Sequence, residues 1–185
     1  MKNYKYTLLL LLVTTLFSCS KEDSLQDSTL KSSNMMMIAP ELLVGERKLS
    51  AMNADTLVDL NKDGTGDMNL LNESSCFNEM KVIFNPDFTF STTNARLSFT
   101  GGTTNAEFVC EKNRVDFGTW NVEGVELILK ISIDGTIYTD RKTLNYNTTT
   151  FAFDVSKAES NVYVSDPGDT SASKIRILGL EYSRI

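Results

Sequence analysis

The chain of 185 residues contains no histidine. That absence removes the commonest general base and metal ligand, together with any Ser-His or Cys-His nucleophile pair. Clustered basic charge is missing too: 18 Lys and Arg stand against 24 Asp and Glu, a formal charge of −6, with no concentration of cations along the chain. Such a chain has no footprint for a polyphosphate, so nucleic acid is not an expected partner. No stretch shows a convincing apolar period of 3.6, and no internal repeat is apparent. The run from Leu8 to Phe17 is too short to span a bilayer comfortably. Carboxylates such as Asp116, Glu126 and Asp134 are present, but nothing in the sequence pairs them and no nucleophile has a base, so an enzyme is not expected.

What is present begins with Lys2 and Lys5 ahead of the Leu8 to Phe17 run, the charged start and apolar middle of a secretory signal peptide. Leu16, Phe17, Ser18 and Cys19 then resemble the lipobox of bacterial lipoproteins. The resemblance implies cleavage before Cys19 and acylation of its thiol; the alternative is a buried or disulfide-bonded cysteine after a plain signal peptide. Loss of residues 1–18 removes two lysines and no acids, which takes the charge from −6 to −8. Each buried methylene contributes about 0.8 kcal/mol, and more than one acyl chain makes a stable anchor, so the membrane is the expected partner through lipid alone. Ser20, Lys21, Glu22 and Asp23 resemble the export signal that sends some Gram-negative lipoproteins to the outer face of the outer membrane, and also read as a solvated tether. The expected organisation is a signal peptide at 1–18, a lipidated cysteine and flexible tether at 19–40, and one domain at 41–185, held at the outer membrane on the cell surface.

Within the domain, period-two alternation dominates. Met80, Val82 and Phe84 share a strand face, as do Phe88 with Phe90, and Val115 with Phe117 and Thr119. Leu127, Leu129, Ile131 and Ile133 form the clearest inward row, and Phe151, Phe153 and Val155 a later one. Turn signals separate them at Asn85-Pro86-Asp87, Gly101-Gly102, Glu123-Gly124 and Asp134-Gly135. Near the end, the apolar phase changes at Gly179, the place for a bulge. The pattern predicts an all-β fold: a single antiparallel up-and-down β-barrel of about eight strands. With Cys19 acylated, Cys76 and Cys110 remain as an even pair; in an oxidising envelope a disulfide is the economical reading, and two reduced buried thiols the alternative.

The lipobox, "LLVGERKLS", "DLNKDGTGD" ahead of "CFNEMKVIFNPDFTFS", "FGTWNVEGVELIL" and the terminal "LEYSRI" together resemble the lipocalin-like domains of Gram-negative surface lipoproteins, over roughly residues 41–185. The resemblance implies a small barrel or half-barrel with an apolar interior. One departure stands out: lipocalins open with Gly-x-Trp, whose tryptophan plugs the barrel base, whereas Gly45 is followed by Glu46 and Arg47. The single Trp120 reads as a core aromatic. Two functions are expected from this pattern. A binding module for a small apolar or amphipathic ligand would line its cavity with Phe117, Leu127, Leu129, Ile131 and Phe153; an interaction lipoprotein would have a filled barrel and contact another envelope protein.

No cofactor is expected, with one weak exception. Asp59, Asn61, Asp63 and Asp67 fall at offsets 1, 3, 5 and 9 of a calcium loop, with Gly64 at 6 and the Thr65 carbonyl at 7. Offset 12 is Leu70 and not a bidentate Glu, although Glu73 is close. The loop therefore reads either as a weak calcium site or as a solvated turn whose side chains cap their own backbone.

Overall fold

The alternating segments pair into one sheet. The structure, a computed structural model, describes residues 37–99, 108–166 and 174–185, all within the compact unit Asn34–Ile185. The leader, Cys19, most of the tether and the Gly101-Gly102 turn lie outside the described residues. The strands are β1 (Gly45–Val58), β2 (Asp67–Asn69), β3 (Lys81–Phe84), β4 (Thr89–Phe99), β5 (Phe108–Glu123), β6 (Glu126–Ile133), β7 (Thr136–Thr143), β8 (Asn145–Tyr146), β9 (Thr150–Asp154), β10 (Val164–Ser165) and β11 (Ile177–Arg184). Two short helices, α1 (Leu70–Glu73) and α2 (Lys157–Tyr163), interrupt the series. No helix among the described residues is long and apolar enough to cross a membrane.

The spatial order is β7-β6-β5-β4-β3-β1-β11-β9-β8, with β2 added to β1 and β10 lying parallel to β4. The first and last strands are therefore neighbours, and β3 to β7 follow as a meander. The two ends of this order are consecutive in the chain: β7 passes into β8 through Leu144 alone. One stretch of chain thus pairs first with β6 and then with β9, which curls the sheet back toward itself. Counted as a single stave, β7 and β8 bring the total to eight, and the fold is all-β and barrel-like as the alternation predicts.

Local chemistry sets the joints. Asp134 and Gly135, with φ of 49° and 78°, make the two-residue hairpin between β6 and β7. At β11 the register against β1 slips between Asn53 opposite Gly179 and Ala54 opposite Ile177. Leu178 is the extra residue, which is why Ile177, Leu180 and Tyr182 are all buried while Leu178 is exposed. Cys76 and Cys110 are bonded, with Cα atoms 5.6 Å apart, fastening the turn after α1 to β5.

At one end of the sheet, Ile38 is buried and donates its N–H to the Gly124 carbonyl at 2.9 Å. A short 3₁₀ turn at Pro40–Leu42 follows, and then the buried Leu43 and Arg47. Trp120 is a core aromatic: its Nε1 donates to the Asn85 carbonyl at 3.2 Å and its ring lies 4.9 Å from Phe84.

Candidate functional site

A cavity of about 280 Å³ lies inside the curled sheet. Alternate residues of facing strands form its walls, because side chains two apart point to the same side. From β6 come Leu127, Leu129 and Ile131; from β9, Phe151 and Phe153; from β3, β4 and β11, Val82, Phe84, Phe90 and Tyr182. Helix α2 packs against β4 and β11, and contributes Glu159, Val162 and Tyr163 to the lining.

Four of the five predicted lining residues, Leu127, Leu129, Ile131 and Phe153, stand on the cavity wall. Phe117 does not: it is 67 % exposed on the outer face. The phase assigned to β5 is reversed, with Arg114, Asp116 and Trp120 turned inward and Val115, Phe117 and Thr119 outward. The reason is that the inner face of β5 carries the Arg114–Asp116 pair, so polar residues there face in and the apolar ones out. Ile133, the last of the predicted inward row, is half-exposed beyond the cavity's end.

The polar part of the lining has two clusters. Arg114 Nε lies 3.1 Å from Asp116 Oδ2, which also accepts from Asn94 Nδ2 at 2.9 Å. Lys142, only 8 % exposed, is shared between Asp140 Oδ2 at 3.3 Å and Glu159 Oε1, and its Nζ lies 5.5 Å from the Phe153 ring centroid. Glu159 has a second task. Its other oxygen accepts the Ser156 N–H at 2.8 Å while the Ser156 hydroxyl takes the Glu159 N–H, a capping box that starts α2.

These surroundings set the titration of the groups. Burial opposes ionisation of Glu159, but hydrogen bonds from Lys142 and Ser156 hold its carboxyl below the usual range. Burial pushes the Asp140 carboxyl up, against the pull of Lys142 and with the repulsion of Glu159. Burial first, then Glu159 and Asp140, push Tyr163 up to about 12, and burial lifts Tyr182 well above its ordinary value. Neither tyrosine hydroxyl makes a hydrogen bond among the described residues.

Lys142, Asp140, Arg114, Tyr163 and Tyr182 were not predicted as site residues. The Ser156-x-x-Glu159 spacing was a readable signal for α2. The inward position of Asp140 and Lys142 was not readable, since a charged alternation ordinarily marks the wet face of a strand.

The acidic loop is closed by its own side chains. Asp59 Oδ2 accepts from Gly64 N at 3.1 Å, Asn61 Oδ1 from Asp63 N at 2.9 Å, Asp63 Oδ1 from Thr65 N at 2.7 Å, and Asp67 Oδ1 from Asn69 N at 2.8 Å. Glu73 is turned to the Leu60 N–H at 3.0 Å. The oxygens of Asp59, Asn61, Asp63 and Asp67 each serve a nearby N–H group, as side chains that cap their own backbone do. Among the described residues, no group of three or more His, Cys, Asp or Glu is placed to hold a metal ion.

Fold and site define a small barrel-like β domain with an apolar cavity and a charged part to its wall. The chain belongs to the family described as Domain of unknown function (DUF5004), which matches residues 23–173. No curated protein and no solved structure matches it.

Proposed function

We propose that this chain is a non-enzymatic binding module: a lipoprotein acylated at Cys19 and held at the outer membrane, whose lipocalin-like barrel accepts a small apolar or amphipathic ligand. The observation that carries the reading is the cavity of about 280 Å³ walled by Leu127, Leu129, Ile131, Phe151 and Phe153. It falls near the lower end of the roughly 300 to 1,000 Å³ range of small-molecule pockets. Its apolar walls suit the apolar part of such a ligand, and its few charged groups a polar end. The lipobox residues Leu16 to Cys19 supply the anchor.

Native mass spectrometry of the protein purified without detergent from its own cells tests the reading, since a retained ligand names the function. Leu129→Phe gives the second arm. In a receptacle, the larger side chain abolishes uptake of a neutral fluorescent apolar probe with little change in stability. In a filled core, overpacking lowers stability by roughly 1 to 3 kcal/mol.

One observation favours the interaction lipoprotein as a second reading. Phe117 and Ile137, 67 % and 68 % exposed, lie in one lateral row across the outer face of β5, β6 and β7, on either side of Ser132. That row offers an apolar contact to another envelope protein. Absence of any ligand, with destabilisation by Leu129→Phe, selects it.

A further inference from the structure

Resting on the reading of the cavity as a receptacle, we propose that its ligand is an amphiphile with a cationic head, an amine or quaternary ammonium held against Asp140, and not a fatty-acid carboxylate. Among the described lining residues two are cations, Arg114 and Lys142, and three are carboxylates, Asp116, Asp140 and Glu159, an excess of one negative charge. Both cations are already engaged. Arg114 lies on Asp116, and Lys142 is shared by two acids. An incoming carboxylate would meet Lys142 already shared by Asp140 and Glu159 and, at Arg114, the repulsion of the adjacent Asp116.

A cation meets the opposite situation. Lys142 is shared by Glu159 and Asp140, and Glu159 is held by the Ser156 N–H as well, which leaves Asp140 the less compensated carboxylate. Burial raises the Asp140 pKa, Lys142 pulls it back, and the repulsion of Glu159 adds to the rise. Asp140 is also half-exposed, so a head group bound to it stays near solvent while an alkyl tail enters among Leu127, Leu129 and Phe153.

The aromatic lining points the same way independently of the charges. Phe84, Phe90, Phe151, Phe153, Tyr163 and Tyr182 present ring faces or edges to the cavity, and a ring face attracts a cation through its quadrupole. The Lys142 ammonium, 5.5 Å from the Phe153 centroid, already uses this wall in that way. The neutral Tyr163 and Tyr182 hydroxyls, without hydrogen bonds among the described residues, add oxygen acceptors for an N–H head.

The test uses the full chain carrying Cys19→Ala, so that no detergent competes for the cavity, and three probes with one tail: decylamine, decanol and decanoate. Calorimetry below their micellar concentrations should find decylamine bound about tenfold or more tighter than decanoate. Asp140→Asn should bring decylamine down to the level of decanol while leaving decanol unchanged. Decanol or decanoate bound as tightly as decylamine overturns the cationic head and leaves the receptacle standing; an unchanged preference in Asp140→Asn overturns Asp140 as its partner. Uptake of none of the three, with Leu129→Phe lowering the unfolding midpoint, overturns the receptacle itself. Should Asp140→Asn not fold, the ranking of the probes on the parent chain decides the head group.

Discussion

Arg47 occupies a place where the sequence gives no warning of burial. It stands two residues after Gly45, at the position of the plugging tryptophan in the lipocalin pattern, and it is fully buried. Its guanidinium donates to the Leu42 carbonyl and, at 3.4 Å, to the Thr149 carbonyl, and lies 6.0 Å from the Phe151 centroid. A flat delocalised cation thereby packs beside an aromatic ring while its donors meet backbone carbonyls. Burial, then the nearby Arg184, lowers its pKa. Arg47→Ala should destabilise the domain by about 2 to 4 kcal/mol in urea unfolding, because it opens a cavity and removes two buried hydrogen bonds. Arg47→Met should cost less, since an apolar chain of similar length avoids the desolvation of a charge. Tyr163 gives a second residue-scale expectation. Its folded pKa of about 12 exceeds the ordinary 10.0, so the stability it supports is complete below pH 10 and is lost as pH rises toward and through 12. Denaturant midpoints across that range should fall in the parent, and Tyr163→Phe should remove about 2 to 3 kcal/mol of the loss. Neither role was legible, because an arginine in an alternating strand and a tyrosine at the end of a short polar helix both read as surface residues.

At the scale of elements, β5 shows how far periodicity carries and where it stops. The strand's existence and its turns were legible in Val115, Phe117 and Thr119, yet its phase was not. A hydrophobic alternation reports which face is apolar, and here the interior face holds Arg114 and Asp116. Gly118 records the true inward side: a Cβ built there would stand 2.1 Å from the Lys130 carbonyl oxygen and 2.8 Å from the Phe90 ring. Gly118→Ala should therefore force β5 away from β6 and lower stability by roughly 1 to 3 kcal/mol, read as a drop in Tm. The link between Cys76 and Cys110, which cysteine parity did make legible, closes a separation of 34 residues. Cys76→Ser with Cys110→Ser should cost about 3 to 4 kcal/mol on the chain-entropy account, and thiol titration of the unreduced denatured domain should find neither sulfur free. Helix α2 was written in its capping box but not in any apolar period, as seven residues give too short a window for one.

For the whole molecule, the class of fold was legible because Leu127, Leu129 and Ile131 alternate cleanly and Asp134-Gly135 turns the chain back at once. The cavity was legible only on its apolar side, since ion pairs such as Lys142 with Glu159 join strands and helices distant in sequence. The arrangement of β1 beside β11 has a further consequence, for the order of events in folding. Arg47 pairs with Arg184 and Ala54 with Ile177, so the first long strand completes its hydrogen bonding on the last one. Until Ile177–Arg184 exists, β1 keeps an open edge and the sheet lacks the stave that joins it to β9. Closure spans nearly the entire domain, a high contact order that places refolding on the order of milliseconds to seconds instead of microseconds. A chain cut before Ile177 should remain protease-sensitive however long it is incubated, and adding the missing segment as a separate peptide should restore protection by filling the same edge.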